Sequence, residues 1–123
     1  MRELTKAESQ VMQVIWEKEK CFVKEIIEAL PEPKPAYNTV STIVRILESK
    51  GFVDHEVFGK SHRYFAAIEK DTYRKFTTNQ LMSSYFSGSP SKLLSFFIEE
   101  KDIDTKSLDE MLLLIEKAKK NHD

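Results

Sequence analysis

Apolar residues recur every three to four positions in the first part of the chain, which is the pattern of amphipathic helices. We predict one helix over roughly residues 6–18, a short second helix that ends before Pro31, and a third over roughly residues 37–49. Thr5 and Glu8 have the spacing of a capping box at the start of the first helix. Gly51 can close the third in a left-handed conformation. Three short helices with tight connections predict a helix-turn-helix.

The pattern changes after Gly51. Phe52–Val57 and His62–Ile68 are rich in aromatic and β-branched residues, and Phe58-Gly59-Lys60-Ser61 lies between them. This arrangement predicts a β-hairpin. Three helices followed by a hairpin is the order of a winged helix.

The second half of the chain predicts three further helices. They cover roughly residues 72–86, a stretch that begins at Pro90 after the N-cap Ser89, and roughly residues 105–119. We therefore expect a mainly α protein with a small β-hairpin: a winged-helix domain at 1–70 and a helical dimerisation domain at 71–123.

The helices of the second half are apolar on more than one face, and so small a unit cannot bury all of these side chains alone. A second copy of the chain can cover them. The residues predicted to lie in the dimer interface are Tyr73, Phe76, Leu93, Leu94, Phe96, Phe97, Leu112 and Ile115. The alternative is that these helices pack back onto the winged helix.

Composition limits the classes of protein that the chain can be. Of 123 residues, 41% are hydrophobic, which is enough for a packed core. No apolar run is long enough to cross a membrane, and no signal peptide is apparent. Cys21 is the only cysteine, which excludes a disulfide framework and favours the cytoplasm.

The polar face of the third helix is the strongest functional signal. It carries Asn, Ser and Thr, although Glu and Lys are better helix formers on a solvated face. Short polar side chains let a helix approach the floor of the DNA major groove, Thr39 can contact a phosphate, and Arg45 can reach a guanine or a phosphate. The alternative is an ordinary solvated face.

The hairpin tip is also cationic, which suits a phosphate or minor-groove contact, although a charged turn can serve solubility alone. The predicted DNA-binding residues are Asn38, Thr39, Ser41, Thr42, Arg45, Ser49, Lys60 and Arg63. Net charge is −1, so a DNA-binding protein of this composition must concentrate its positive charge locally. Residues 34–63 do so weakly, with two more Lys and Arg than Asp and Glu.

Enzyme chemistry finds little support. Three glycines are too scattered for a phosphate-binding loop, and Cys21 has no partner at metal-ligand spacing. His55 and His62 lie on opposite arms of the hairpin, but pairing across the turn sets Val57, not His55, beside His62, so a two-histidine metal site is only weakly indicated. We predict no catalytic residue, no metal and no cofactor.

The chain resembles the BlaI/MecI/CopY-type penicillinase repressors over nearly its whole length. Ala7-Glu8, Val11-Met12 and Ile15-Trp16 resemble the first helix of that family. The recognition helix of that family and the segment that follows it are resembled by Thr39-Val40, Thr42, Leu47 and Lys50-Gly51-Phe52. The resemblance implies a cytoplasmic homodimer that binds palindromic operators and represses genes such as those of β-lactamases.

The resemblance further implies release by proteolysis, signalled through a membrane sensor with a zinc metallopeptidase domain. The family is cut at an Asn–Phe bond, which aligns with Ser95–Phe96. Ile46 stands where family members often have Arg, and we expect Arg45 to take over part of that role. The paired C-terminal cysteines of the copper-responsive branch are absent, so copper control is not expected.

Two other functions stay open. A winged helix can serve protein–protein contacts, and the neutral charge balance favours that alternative. The second open function is a repressor whose repression is relieved by a small ligand.

Overall fold

The computed structural model describes residues 1–100 and 102–122, and the predicted mainly α winged-helix fold is confirmed. Six helices lie in this part of the chain: α1 (Lys6–Lys18), α2 (Val23–Ala29), α3 (Tyr37–Ser49), α4 (Lys70–Tyr85), α5 (Pro90–Glu100) and α6 (Thr105–His122). The strands are β1 (Lys20–Cys21), β2 (Val53–Phe58) and β3 (Ser61–Ala66). No helix among the described residues is long and apolar enough to cross a membrane.

The helix ends follow the signals in the sequence. Thr5 Oγ1 accepts a hydrogen bond from Glu8 N at 3.2 Å, and Glu8 Oε1 accepts one from Thr5 N at 2.9 Å. These two bonds form the predicted capping box of α1. Ser89 Oγ caps α5 by accepting from Lys92 N at 3.2 Å. Gly51 has a φ of 85° where the chain turns from α3 towards β2.

The sheet has one strand more than the predicted hairpin. Its order is β1-β3-β2, and both pairings are antiparallel. Val57 pairs with His62 as predicted, around a turn in which Gly59 has a φ of 65°. β1 was not predicted, because a strand of two residues is too short to show an alternating pattern.

One hydrophobic core joins the first three helices to the sheet. Its buried side chains are Val11, Met12, Val14, Ile15, Cys21, Val23, Ile26, Leu30, Val40, Val44, Leu47, Phe52, Val53 and Tyr64. Cys21 is fully buried, and burial raises the pKa of its thiol to about 11. The thiol therefore stays protonated and inert at neutral pH, as befits a small core residue.

The first turn of α4 packs against this core through Tyr73, which is half-buried. The Tyr73 ring lies 6.0 Å from that of Trp16 and 5.6 Å from that of Phe52, and its hydroxyl accepts a hydrogen bond from Leu4 N at 2.7 Å. Trp16 Nε1 donates to Ile68 O at 2.9 Å. These contacts tie the start of α4 to α1 and to the end of the sheet.

The chain divides into two compact units, one from Met1 to Thr78 and one from Asn79 onward. The predicted domain boundary at residue 70 coincides with the first residue of α4 and stays a prediction. In the second unit, α5 and α6 contain no buried residue. Phe86 packs on Phe96 there, with ring centroids 5.5 Å apart.

Candidate nucleic-acid interface

Helix α3 is anchored by one face and exposes the other. Val40, Val44 and Leu47 are fully buried, so the remaining sides of the helix face away from the core. Of the predicted DNA-binding residues on this helix, those that are exposed are Asn38, Thr39, Thr42, Arg45 and Ser49. The structure thus brings them together on one accessible surface of α3, which we call the α3 stripe.

Ser41 differs from the rest of the predicted set. It is only 8% exposed, and its Oγ accepts a hydrogen bond from Arg45 Nη2 at 3.1 Å. A helical pattern alone placed Ser41 on the polar face because it lies at the edge of that face. The structure gives it a positioning contact with Arg45.

A groove of about 740 Å³ separates α3 from the hairpin. Tyr37, Ser41 and Arg45 line it from α3, and Lys60 and His62 line it from the hairpin. Its remaining lining residues are Phe22, Val23, Lys24, Glu25, Glu28, Phe58, Ser61 and Tyr64. Arg45 therefore lies on the side of α3 that faces the hairpin. The sequence did not single out Tyr37, although its place at the first residue of α3 was a usable signal.

Within the hairpin, Arg63 is held by its neighbours. Its Nε donates to Glu56 Oε1 at 2.7 Å, and its guanidinium lies 5.0 Å from the centre of the Phe58 ring. The hydrogen bond from Arg63 is the main reason why the pKa of Glu56 lies below its usual range, and Lys20 Nζ at 3.5 Å lowers it further. Lys60, by contrast, is exposed at the turn. The two predicted wing residues thus have different surroundings.

An ion pair fixes the C-terminal end of α3. Lys50 Nζ donates to Glu8 Oε2 at 2.8 Å, and Glu8 is buried. Burial by itself raises the pKa of Glu8, but the hydrogen bonds from Lys50 and Thr5 outweigh it and hold the pKa below its usual range. The sequence predicted the capping role of Glu8 and missed its second partner.

Among the described residues, one group could offer ligands to a metal ion. Ligand atoms of Glu48, Asp54 and His55 lie within 4.8 Å of one another. His55 Nδ1 already contacts Glu48 Oε2, and Asp54 Oδ1 accepts from His55 N at 2.8 Å. The His55 ring also stacks on His62, with centroids 4.1 Å apart. These internal contacts account for the three side chains as a link between α3 and β2.

The predicted interface residues of the second half fall into two groups. Tyr73 packs into the core of the first unit, and Phe76 is half-buried beside it. Leu93 is half-buried, whereas the others are exposed: Leu94, Phe96, Phe97, Leu112 and Ile115. Ser95 and Phe96, the predicted cleavage site, both lie within α5 and are exposed.

Comparison with known proteins decides the family. A family model described as penicillinase repressor matches residues 4–117, which run from before α1 into α6. The chain belongs to the penicillinase repressor family. This family consists of transcriptional repressors, so the fold and the predicted class of protein agree.

Individual relatives of this repressor align along most of their length. The chain is 26% identical over 116 residues to the methicillin resistance regulatory protein MecI of Staphylococcus aureus strain N315, with 94% of each chain covered. It is 22% identical over 118 residues to the penicillinase repressor of Bacillus licheniformis, covering 95% of this chain and 92% of that one. The penicillinase repressor of Staphylococcus aureus is also 22% identical, over 110 residues, covering 89% and 87%.

Proposed function

We propose that this repressor binds palindromic operator DNA as a homodimer, with α3 in the major groove and the hairpin along the phosphate backbone. The observation that carries the proposal is the α3 stripe: four short polar side chains and Arg45 are exposed together on a helix whose opposite face is buried in the core. Asn, Ser and Thr side chains keep the helix slim enough to reach base edges, and they can donate to or accept from them.

The hairpin supports this placement of the DNA. Lys60 is exposed at the turn beside the groove and offers a positive charge to a phosphate. Arg63 bonds Glu56 and lies over the Phe58 ring, and both residues belong to the facing strand of the hairpin. We therefore assign Arg63 a positioning role. Arg45, on the hairpin side of α3, is placed to reach a base or a phosphate at the edge of the major groove.

The second half supports dimerisation. Leu94, Phe96 and Phe97 in α5 and Leu112–Ile115 in α6 are exposed. Clusters of exposed apolar side chains of this extent mark interaction surfaces. A second copy presents the same surface and covers it symmetrically. We leave Tyr73 out of this interface, because it already packs on Trp16 and Phe52.

We further propose that repression ends by cleavage at Ser95–Phe96, performed in response to a membrane sensor with a metallopeptidase domain. The bond lies in α5, where both side chains are exposed, and local opening of the helix would present it to a peptidase. The cut separates α6 from the DNA-binding half. Loss of bivalent binding lowers affinity by about 10²–10⁴ through effective concentration, without changing a DNA contact.

Gel shifts with genomic fragments test DNA binding. We expect a salt-sensitive complex, and Arg45→Ala weakens it by about 1–3 kcal/mol. Failure to bind any genomic DNA favours the alternative of a protein-binding winged helix.

Light scattering tests the assembly. We expect about twice the 14.3 kDa chain mass, and a shift towards the single-chain mass for Ile115→Asp but not for Lys119→Asp on the same helix. A single-chain mass for the unmodified protein overturns the dimer.

Mass spectrometry of the repressor from induced cells tests release. We expect a fragment that ends at Ser95. Full-length protein that persists under full derepression overturns cleavage and favours a small-ligand switch.

A further inference from the structure

One apolar side chain stands among the polar residues of the α3 stripe. Ile46 is 42% exposed, whereas Val40, Val44 and Leu47 of the same helix are fully buried. It lies one turn beyond Thr42 and two turns beyond Thr39, so the three side chains share one side of the exposed surface. Single exposed apolar residues are common on proteins, so exposure alone decides little. The exposure of Ile46 is informative because this residue lies on the surface of α3 that is proposed to enter the DNA major groove.

Thr42 adds a second apolar group at the same place. Its Oγ1 donates a hydrogen bond to Asn38 O at 2.8 Å, within the helix. The hydroxyl hydrogen is therefore committed to the backbone, and what Thr42 offers to an approaching base is a methyl group and an oxygen lone pair. Beside Ile46, its methyl extends an apolar patch on an otherwise polar stripe.

The chemistry of the DNA major groove contains one apolar group that fits such a patch. Thymine presents its 5-methyl group there, and none of the other three bases carries a methyl group at that edge. Arg45, which could otherwise occupy this surface, is turned towards the hairpin groove and bonded to Ser41. The patch is thus free of a competing cation on that side.

We propose that Ile46 and Thr42 read the 5-methyl group of a thymine in each half-site and so set the sequence preference of this repressor. The inference rests on the proposed DNA binding by α3. It adds the identity of one base and the two side chains that recognise it.

The test begins with selection of binding sites by the full-length protein from a random duplex library. Each thymine of the selected palindrome is then replaced, in both half-sites at once, by deoxyuridine, which removes only the methyl group. We expect one symmetric pair of thymines whose replacement weakens binding about 15-fold, since one buried methyl contributes about fourfold per half-site.

Variants assign the effect to the two side chains. Ile46→Ala and Thr42→Ser each delete apolar groups, and with either variant we expect the discrimination between thymine and deoxyuridine at that position to fall to about fourfold, because the other side chain still contacts the methyl. Thr42→Val keeps the methyl and removes the hydroxyl, and it should keep discrimination near the full size. Both positions are exposed, so the fold does not depend on them.

Two outcomes overturn the proposal in distinguishable ways. A library that yields no enriched sequence overturns DNA binding together with this inference. Enrichment of a site in which no thymine methyl is coupled to Ile46 or Thr42 leaves DNA binding intact and overturns the inference alone.

Discussion

Glu8 accepts a hydrogen bond from Lys50 Nζ at 2.8 Å, although the two residues are 42 positions apart in the chain. Glu8 lies in the first turn of α1, and Lys50 is the C-cap residue that follows α3. The same carboxylate caps α1 through Thr5 N. The buried Glu8 side chain therefore links the start of α1 to the C-terminal end of α3, the proposed recognition helix.

Replacing this carboxylate should destabilise the fold. Glu8→Gln keeps the size of the side chain but removes the charge that Lys50 faces, so we expect a loss of about 1–3 kcal/mol in the free energy of unfolding. Urea denaturation followed by circular dichroism measures it. Glu17→Gln, on an exposed position of the same helix, should change stability by less than about 0.5 kcal/mol. Equal stability of Glu8→Gln and the unmodified protein would show that the ion pair contributes nothing.

The same pair predicts a pH dependence with a definite sign. The pKa of Glu8 is lowered in the folded state from its ordinary value of 4.5. The contribution of the ionised Glu8 side chain to the free energy of unfolding is therefore complete above about pH 4.5. It is lost as the pH falls through the lowered pKa of Glu8 in the folded state. The stability difference between the unmodified protein and Glu8→Gln should narrow on acidification below that point. A difference that stays constant down to about pH 3 contradicts the assignment.

The hydroxyl of Tyr73 should stabilise the attachment of α4. Tyr73→Phe removes the acceptor of the Leu4 N hydrogen bond at 2.7 Å and keeps the ring against Trp16 and Phe52, so we expect a cost of about 1 kcal/mol. Tyr85→Phe is the matched control, because Tyr85 is 79% exposed. Thermal unfolding of the two variants compares them. A larger loss for Tyr85→Phe would reverse the assignment.

Most of the fold could be predicted from short-range signals. The capping box at Thr5, the prolines after Leu30 and the glycine at position 51 placed the first three helices, because each acts within one turn of the chain. β1 escaped prediction, since its two residues become a strand only by pairing with Tyr64 and Phe65. This pairing joins residues that are far apart in the sequence, so it forms only in the folded chain.

For the candidate site too, local patterns predicted some features, and others depend on tertiary packing. A 3.6-residue pattern distinguished the exposed side of α3 from Val40, Val44 and Leu47. It did not show that Ser41 is buried and hydrogen-bonded to Arg45, because Ser41 lies at the edge of that face and its burial depends on tertiary packing. The partners of Lys50 and Tyr73 depend on long-range packing, and no local pattern indicates them. The partner of Arg63 follows from the hairpin, because the predicted pairing of Val57 with His62 sets Glu56 opposite Arg63.

Lys60 should contribute charge and little else to DNA binding. It is exposed at the tip of the hairpin, so Lys60→Ala leaves the fold unchanged and removes one proposed phosphate contact per protomer. We expect weaker binding to all sequences and a salt dependence whose slope falls by about 2 for the dimer. Fluorescence anisotropy at several salt concentrations measures both. Lys18→Ala, at the end of α1, serves as the control, and an equal effect of the two changes contradicts a specific role of the hairpin tip.

Half-site spacing tests most directly the claim that two copies of α3 bind one palindrome. The measurement is the affinity of the full-length protein, by fluorescence anisotropy, for the selected palindrome and for the same duplex with five base pairs inserted between its half-sites. The insertion turns one half-site to the opposite face of the DNA and leaves every base contact available. We expect affinity to fall by about 10²–10⁴, because only one winged helix can then bind at a time. Equal affinity for the two duplexes would contradict bivalent binding by a dimer.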